Sequence, residues 1–152
     1  MDVQSGENFS VMHFDTLNQF KQASFKLPGK GEINGKQFVK QQLGLSGMEV
    51  SLNHLAAGAA IPFYHRHQQN EELYIIVQGQ GQFQIDDEII DVAEGSLVRI
   101  APQGIRTWRN HSQQDLLYIV IQAKANSSIS STIEDGELVD KAMHWPESAL
   151  TN

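Results

Sequence analysis

The chain of 152 residues contains no cysteine and no long apolar run. Without cysteine there is no disulfide framework and no thiolate metal site, and this composition favours a reducing cytoplasm as the compartment. No segment approaches the roughly 18 consecutive apolar residues of a membrane-spanning helix, so we expect no membrane partner. Residues 1–10 also lack a basic stretch followed by an apolar stretch, and we therefore predict no signal peptide.

Basic residues are scarce as well. Lysine and arginine number 11 against 18 aspartates and glutamates, which gives a net charge of −7 with neutral histidines. Nucleic-acid phosphates require a basic protein face, so we predict that nucleic acid is not a partner. The hydrophobic fraction of 40% and the charged fraction of 19% are ordinary for a soluble globular protein. The length indicates a single domain with a core of its own.

Short apolar strands separated by turns fill the second half of the chain. The turn signals are Gly79-Gln80-Gly81, Asp86-Asp87 and Glu94-Gly95, each placed between apolar or alternating segments. The predicted strands are 73–78, 82–85, 89–92, 96–101, 105–110 and 116–123. Regular short strands without a long helical pattern indicate an all-β sandwich or barrel.

Residues 1–44 are predicted to form an N-terminal arm of short strands and one short helix. Asp15 has a side chain suited to a helix N-cap, and the helix would extend to about Phe20. The dipeptide Asn34-Gly35 is a strong hairpin signal, which makes residues 37–43 the returning strand.

Residues 45–123 are predicted to form the barrel, and residues 124–152 a tail. The barrel begins with an alternating strand that has Met48, Val50, Leu52 and His54 on one face. The tail is serine-rich at 126–132, and we expect Trp145 to dock it on the barrel or on a second subunit.

Residues 63–79 carry the strongest candidate site, with the sequence FYHRHQQNEELYIIVQG. Successive side chains of a strand point to opposite faces, so His65 and His67 share one face and together can bind a divalent metal. The third ligand would be Glu71 or Glu72, which as neighbours on a strand cannot both face inward. Tyr74 has the same parity as Glu72 and is a candidate proton donor.

This segment resembles the first motif of the cupins, Gly-x5-His-x-His-x3–4-Glu-x6-Gly. His65 and His67 match as they stand, while Gly58 lies one residue farther away than in the motif. Glu72 has the motif spacing both from His67 and to Gly79, whereas Glu71 has only the spacing from His67. The resemblance therefore implies a cupin-type double-stranded β-helix, a jelly-roll barrel, with His65, His67 and Glu72 as metal ligands.

Residues 95–110, GSLVRIAPQGIRTWRN, resemble the second cupin motif, Gly-x5-Pro-x-Gly-x2-His-x3-Asn, but lack its histidine. In the family this histidine usually completes the metal site, and here Arg106 and Thr107 occupy its neighbourhood. If Thr107 faces inward, its hydroxyl could bond a metal-bound water. If Arg106 faces inward, its charge would repel a divalent cation but could bind a carboxylate or phosphate. The other candidate for a fourth ligand is His54, although a lone histidine on an apolar face is usually a core residue.

The resemblance also implies a homodimer, often formed by exchange of N-terminal strands, for which residues 37–43 are the candidate. The function it implies is a metal-binding cupin that binds or transforms a small anionic or carbonyl-bearing molecule, of dioxygenase or isomerase type if catalytic. Imidazole and carboxylate ligands suit iron, manganese, nickel and zinc alike. In that function Arg106 would fix an anionic group. The alternative is a non-catalytic ligand-binding or sensor cupin with a degenerate or empty metal site.

Overall fold

The computed structural model describes residues 2–14, 16 and 19–146, and in these residues almost all regular structure is β-strand. The strands in chain order are β1 (Val3–Ser5), β2 (Ser10–Met12), β3 (Ser24–Leu27), β4 (Gly31–Asn34), β5 (Lys36–Phe38), β6 (Glu49–Leu55), β7 (Asn70–Gln78), β8 (Gln80–Ile85), β9 (Glu88–Ala93), β10 (Leu97–Ile100), β11 (Arg106–Arg109) and β12 (Leu116–Lys124). The helical segments are a 3-10 turn, Gln19–Gln22, and the single-turn helix α1, Lys40–Leu43. The predicted all-β fold is confirmed.

Two sheets enclose the core. The larger sheet has the strand order β10-β7-β12-β6-β5, and the smaller has the order β11-β8-β9. Their inward side chains meet in one apolar cluster, in which Tyr74 of β7 packs edge-on against Phe83 of β8 and Trp108 of β11. Tyr118 of β12 completes the centre, and its hydroxyl accepts a hydrogen bond from the indole N–H of Trp108 at 2.9 Å.

The chain crosses between these sheets at two of the predicted turns. β7 belongs to the larger sheet and β8 to the smaller, so Gly79 joins two sheets rather than two strands of a hairpin. Its φ is +88°, and a Cβ there would lie 2.4 Å from the carbonyl oxygen of Asp115. The chain returns to the larger sheet at Glu94-Gly95, whereas Asp86-Asp87 forms the predicted hairpin between β8 and β9.

The hairpin predicted at Asn34-Gly35 is wrong. β4 pairs with β3, and β5 leaves it to pair with β6, so the dipeptide links two different sheets. Gly35 is required there because its φ is +78° and a Cβ would lie 2.4 Å from the carbonyl oxygen of His54. Close packing against β6 therefore overrides the local hairpin preference of the dipeptide.

The strand predicted over 37–43 ends at Phe38, and α1 occupies residues 40–43. β5 pairs with β6 of its own chain, so the exchange of this segment between subunits stays a prediction. The predicted N-cap Asp15 lies outside the described residues, but Phe20 at the end of the expected helix is buried. No helix in the described ranges is long and apolar enough to cross a membrane.

The described part of the tail does not dock on the barrel. It forms no strand between 125 and 146, and Trp145, the expected anchor, is 82% exposed. The tail lacks the period-two alternation that would give it an apolar face to lie on a sheet. Docking on a second subunit stays a prediction.

Candidate metal and ligand site

Backbone pairing beside β11 positions the two histidines. His65 and Arg106 face each other across an isolated bridge, each backbone N–H donating to the other's carbonyl oxygen at 3.0 Å. The N–H of His67 donates to the carbonyl oxygen of Pro102 at 2.9 Å. These bonds hold the segment before β7 against the smaller sheet, with both imidazoles directed between the sheets.

Glu72 reaches the same region from β7 in the opposite sheet. Its side chain is buried, whereas that of Glu71 points outward and accepts a hydrogen bond from Nε of the exposed Arg99 at 2.8 Å. The geometry therefore agrees with the choice of Glu72 over Glu71. A strand with one face inside the protein can direct only alternate residues into the site.

His65, His67 and Glu72 form a cluster in which the potential ligand atoms all lie within 4.8 Å of one another. Nε2 of His67 lies 3.1 Å from Oε1 of Glu72. Nε2 of His65 lies 3.9 Å from Oε2 of Glu72. Nδ1 of His65 and Nε2 of His67 are buried and make no hydrogen bond among the described residues, but the same holds for Nε2 of His54 outside the cluster. The indication of a metal site is therefore the proximity of the three ligand groups.

Arg106 is the inward-facing residue of the pair that replaces the motif histidine. It has no exposed surface, and its Nε and Nη2 donate to Oε2 of Glu72 at 3.2 and 2.5 Å. Its Nη1 donates to the carbonyl oxygen of Gly104 at 2.8 Å. Thr107 faces away, and its hydroxyl donates to the carbonyl oxygen of Ile61. The guanidinium thus binds the protein's own carboxylate, and the predicted role of Arg106 in fixing an anionic ligand stays a prediction.

Tyr74 makes the third hydrogen bond to the carboxylate oxygen that Arg106 binds, Oε2 of Glu72. Its hydroxyl donates to Oε2 of Glu72 at 2.7 Å, and the side chain is almost fully buried. Burial and the neighbouring carboxylate raise the pKa of Tyr74 well above its usual value, so its proton stays on the phenol. With Oε2 occupied by Arg106 and Tyr74, Oε1 is the oxygen left for a metal ion.

Electrostatics keeps Glu72 ionised and His65 neutral, the forms in which each can bind a metal. Burial favours neutral Glu72, but its contacts with His67, Arg106 and Tyr74 outweigh burial and lower its pKa to about 2. Burial and then the charge of Arg106 lower the pKa of His65 to about 4, against the opposing effect of Glu72. An ionised carboxylate and a neutral imidazole both offer lone pairs at neutral pH. The residues therefore fit a divalent ion, although the nearby guanidinium opposes its charge.

His54, the candidate substitute for the missing ligand, lies outside this cluster. Its Nε2 is 3.2 Å from Oδ2 of Asp115, an oxygen that also binds Nζ of Lys21. The reason is the orientation of β6, where Ser51 and Asn53 are the buried side chains. Val50 and Leu52 therefore lie on the opposite face of the strand together with His54.

A cavity of about 640 Å³ opens beside the cluster. Its lining includes the three residues of the cluster, the aromatic side chains of Tyr74, Trp108 and Tyr118, and Lys36. Phe63 lines the same cavity, while Phe83 packs in the core cluster. Lys36, which follows the turn glycine Gly35, was not predicted as a site residue from the sequence. The available signal was the polar pair Ser51 and Asn53 in a strand that belongs to the barrel.

Comparison with known proteins matches residues 51–122 to the family model described as the cupin domain. A cupin protein from Bacteroides fragilis is 35% identical, with a TM-score of 0.72 over 88% of this chain and 99% of that chain. A predicted oxalate decarboxylase from Thermotoga maritima is 17% identical, with a TM-score of 0.58 over 72% of this chain and 96% of that chain.

A third structure, a protein with a double-stranded β-helix domain from Klebsiella pneumoniae, is 12% identical, with a TM-score of 0.55 over 78% of this chain and 95% of that chain. At such low identity the second and third likenesses concern the fold alone. No curated protein matches the chain. The Bacteroides fragilis relative is similar over nearly its whole length, and together with the double-stranded β-helix fold it establishes that this chain belongs to the cupin superfamily.

Proposed function

We propose that the protein is a metal-binding cupin whose cavity binds or transforms a small anionic or carbonyl-bearing molecule. The observation that carries this proposal is the convergence of His65, His67 and Glu72, whose potential ligand atoms all lie within 4.8 Å of one another. His65, His67 and Oε1 of Glu72 would hold the ion. Iron, manganese, nickel and zinc are all compatible with these ligands, and a bound ion would act as a Lewis acid.

The charges around the cavity support an anionic ligand. Arg106 already balances the charge of Glu72, so the amino group of Lys36 leaves the cavity net positive, and a divalent ion would make it more so. The aromatic side chains Trp108 and Tyr118 give the ligand an apolar wall and exclude water. Tyr74 holds Glu72 in place and is the proposed proton donor if the protein is an enzyme of dioxygenase or isomerase type.

Elemental analysis of untagged protein tests the metal. We expect near-stoichiometric divalent metal that is lost in the double variant His65→Ala, His67→Ala and retained in His111→Ala, which changes an exposed histidine outside the cluster. Metal content unaffected by the double variant would refute the site. The proposed homodimer is tested by light scattering coupled to size exclusion, where a monomeric mass would contradict it.

A non-catalytic binding or sensor cupin with a degenerate metal site is the second candidate. The observation that favours it is the guanidinium of Arg106 on the carboxylate of Glu72, in place of a fourth ligand. Intact protein that takes up no metal but binds an organic anion would support this candidate over the first. Metal uptake abolished by the double variant would exclude it.

A further inference from the structure

Lys36 reaches the cavity from the edge strand β5, where it lies opposite Asn53 of β6. Its Nζ donates to Oγ of Ser51 at 3.0 Å and to Oδ1 of Asn53 at 2.9 Å. The amide nitrogen of Asn53 donates to the carbonyl oxygens of Ser51 and Tyr118, at 2.9 and 3.3 Å, which fixes the amide with its oxygen towards the lysine. The amino group is therefore held in one position before any ligand arrives.

This amino group has no carboxylate partner. No aspartate or glutamate in the described part of the chain lies within salt-bridge distance of Nζ, and its two hydrogen-bond acceptors, Ser51 and Asn53, are neutral. An ammonium has three N–H donors, so one is left beyond the bonds to Ser51 and Asn53. Phe38 lies beneath the group, with its ring centre 5.0 Å from Nζ. A half-buried ammonium with no carboxylate in direct contact is unfavourable unless an anion binds beside it.

The electrostatics of the site agree with this geometry. Burial lowers the pKa of Lys36 from 10.5 to about 8, because the attraction of Glu72 and Glu49 offsets only part of the desolvation. The group is still largely protonated at neutral pH. A negatively charged ligand beside it would restore the favourable surroundings that burial removes.

We propose that Lys36 binds the carboxylate of a small organic acid, whose remainder occupies the cavity shared with His65, His67 and Glu72. This inference rests on the proposed function and names the ligand class for the same cavity. A carboxylate fits better than a phosphate because one free N–H is offered, whereas phosphate sites present several cationic or backbone donors. Lys36 lines this cavity, whereas Arg106 has no exposed surface and already donates to Glu72 and Gly104, so Lys36 is the cation nearer to the ligand.

Calorimetric titration with succinate and pyruvate tests the inference, with succinamide as the uncharged analogue of succinate. Succinate or pyruvate should bind the intact protein, and succinamide should bind at least about tenfold more weakly, as expected for loss of a charge-assisted hydrogen bond. Lys36→Met, which keeps the length of the side chain, should weaken binding of the acid by a similar factor. The control Lys26→Met removes an exposed lysine of β3 and should leave binding unchanged.

Metal content measured on the same samples separates this inference from the proposed function. Lys36→Met should retain the metal of the parent protein while it loses the acid. Equal binding of the acid by Lys36→Met, or no binding of either acid by the parent protein, overturns the inference even if the metal is present. If Lys36→Met does not fold, Lys36→Gln replaces it, because its amide can still bond Ser51 and Asn53.

Discussion

Replacing Arg106 by glutamine removes the charge that holds Glu72 in its ionised form inside the barrel. The guanidinium has no exposed surface and donates twice to Oε2 of Glu72, so the variant leaves a buried carboxylate without its cation. A decrease of the pKa of Glu72 from 4.5 to about 2 corresponds to about 3 kcal/mol, since each pKa unit is worth about 1.4 kcal/mol. Arg106 shares this effect with His67 and Tyr74, but breaking a buried pair also leaves an uncompensated charge, which typically costs about 3–5 kcal/mol.

We therefore expect Arg106→Gln to lower the free energy of unfolding of the metal-free protein by about 3 kcal/mol, measured by urea denaturation in the presence of a chelator. Arg99→Gln is the matched control. It breaks the exposed pair with Glu71 and should change stability by no more than about 0.5 kcal/mol. Because the variant also removes a cation beside the His65, His67 and Glu72 cluster, it should bind divalent metal more tightly than the parent protein.

The lowered pKa of Glu72 also predicts how the effect of Arg106→Gln on the free energy of unfolding depends on pH. The pKa of Glu72 is lower in the folded protein than in the unfolded chain, so its stabilising effect is complete above about pH 4.5 and is lost as the pH falls towards 2. The difference in stability between the parent protein and Arg106→Gln should therefore shrink over this range. A cost below about 1 kcal/mol, or a difference that does not change with pH, would show that the ion pair does not control Glu72.

Two further predictions concern the site and its support. The pKa of His65 is lowered to about 4, so as the pH falls the unfolded chain binds a proton on this histidine before the folded protein does, and the free energy of unfolding should decrease between pH 6.5 and 4. Urea unfolding of His65→Ala at several pH values should lack this decrease. The same pH dependence in the variant and the parent protein would contradict the lowered pKa. Gly35→Ala should destabilise the protein by more than about 2 kcal/mol, because its Cβ would lie 2.4 Å from the carbonyl oxygen of His54. Gly29 has a similar positive φ but no atom near the position of a Cβ, so Gly29→Ala measures the cost of backbone strain alone. Equal decreases in the free energy of unfolding for the two variants would argue against an effect of the close approach at Gly35.

The sequence contained enough local information to identify the clustered residues that are the candidate ligands, but not their surroundings. His65, His67 and Glu72 could be predicted because strand parity and motif spacing are properties of one continuous segment. Whether Arg106 or Thr107 faces inward depends on how the strand begins after Gly104, and both parities were compatible with the sequence. The bridge between His65 and Arg106 decides it, and that pairing joins residues 41 positions apart.

Lys36 was beyond sequence reasoning for a similar reason. Its local context, directly after Asn34-Gly35, favours a hairpin in which β5 would pair with β4. The observed pairing with β6 places Lys36 opposite Asn53, and only this long-range register brings the amino group to the cavity. The polar face of β6 carried a signal, but an alternating strand does not say which of its faces points inward.

The inward-facing residues of the larger sheet change character across its width, and this change explains why the barrel has a cavity at all. One row of paired residues runs from Lys36 through Asn53 to Tyr118 and Ile76, from charged to apolar. At the apolar end, aromatic side chains fill the space between the sheets. At the β5 edge, polar groups with fixed hydrogen bonds cannot pack in this way without losing their partners, so the space beside them stays open to a ligand. The polar residues at this edge are thus the ones that line the proposed ligand site.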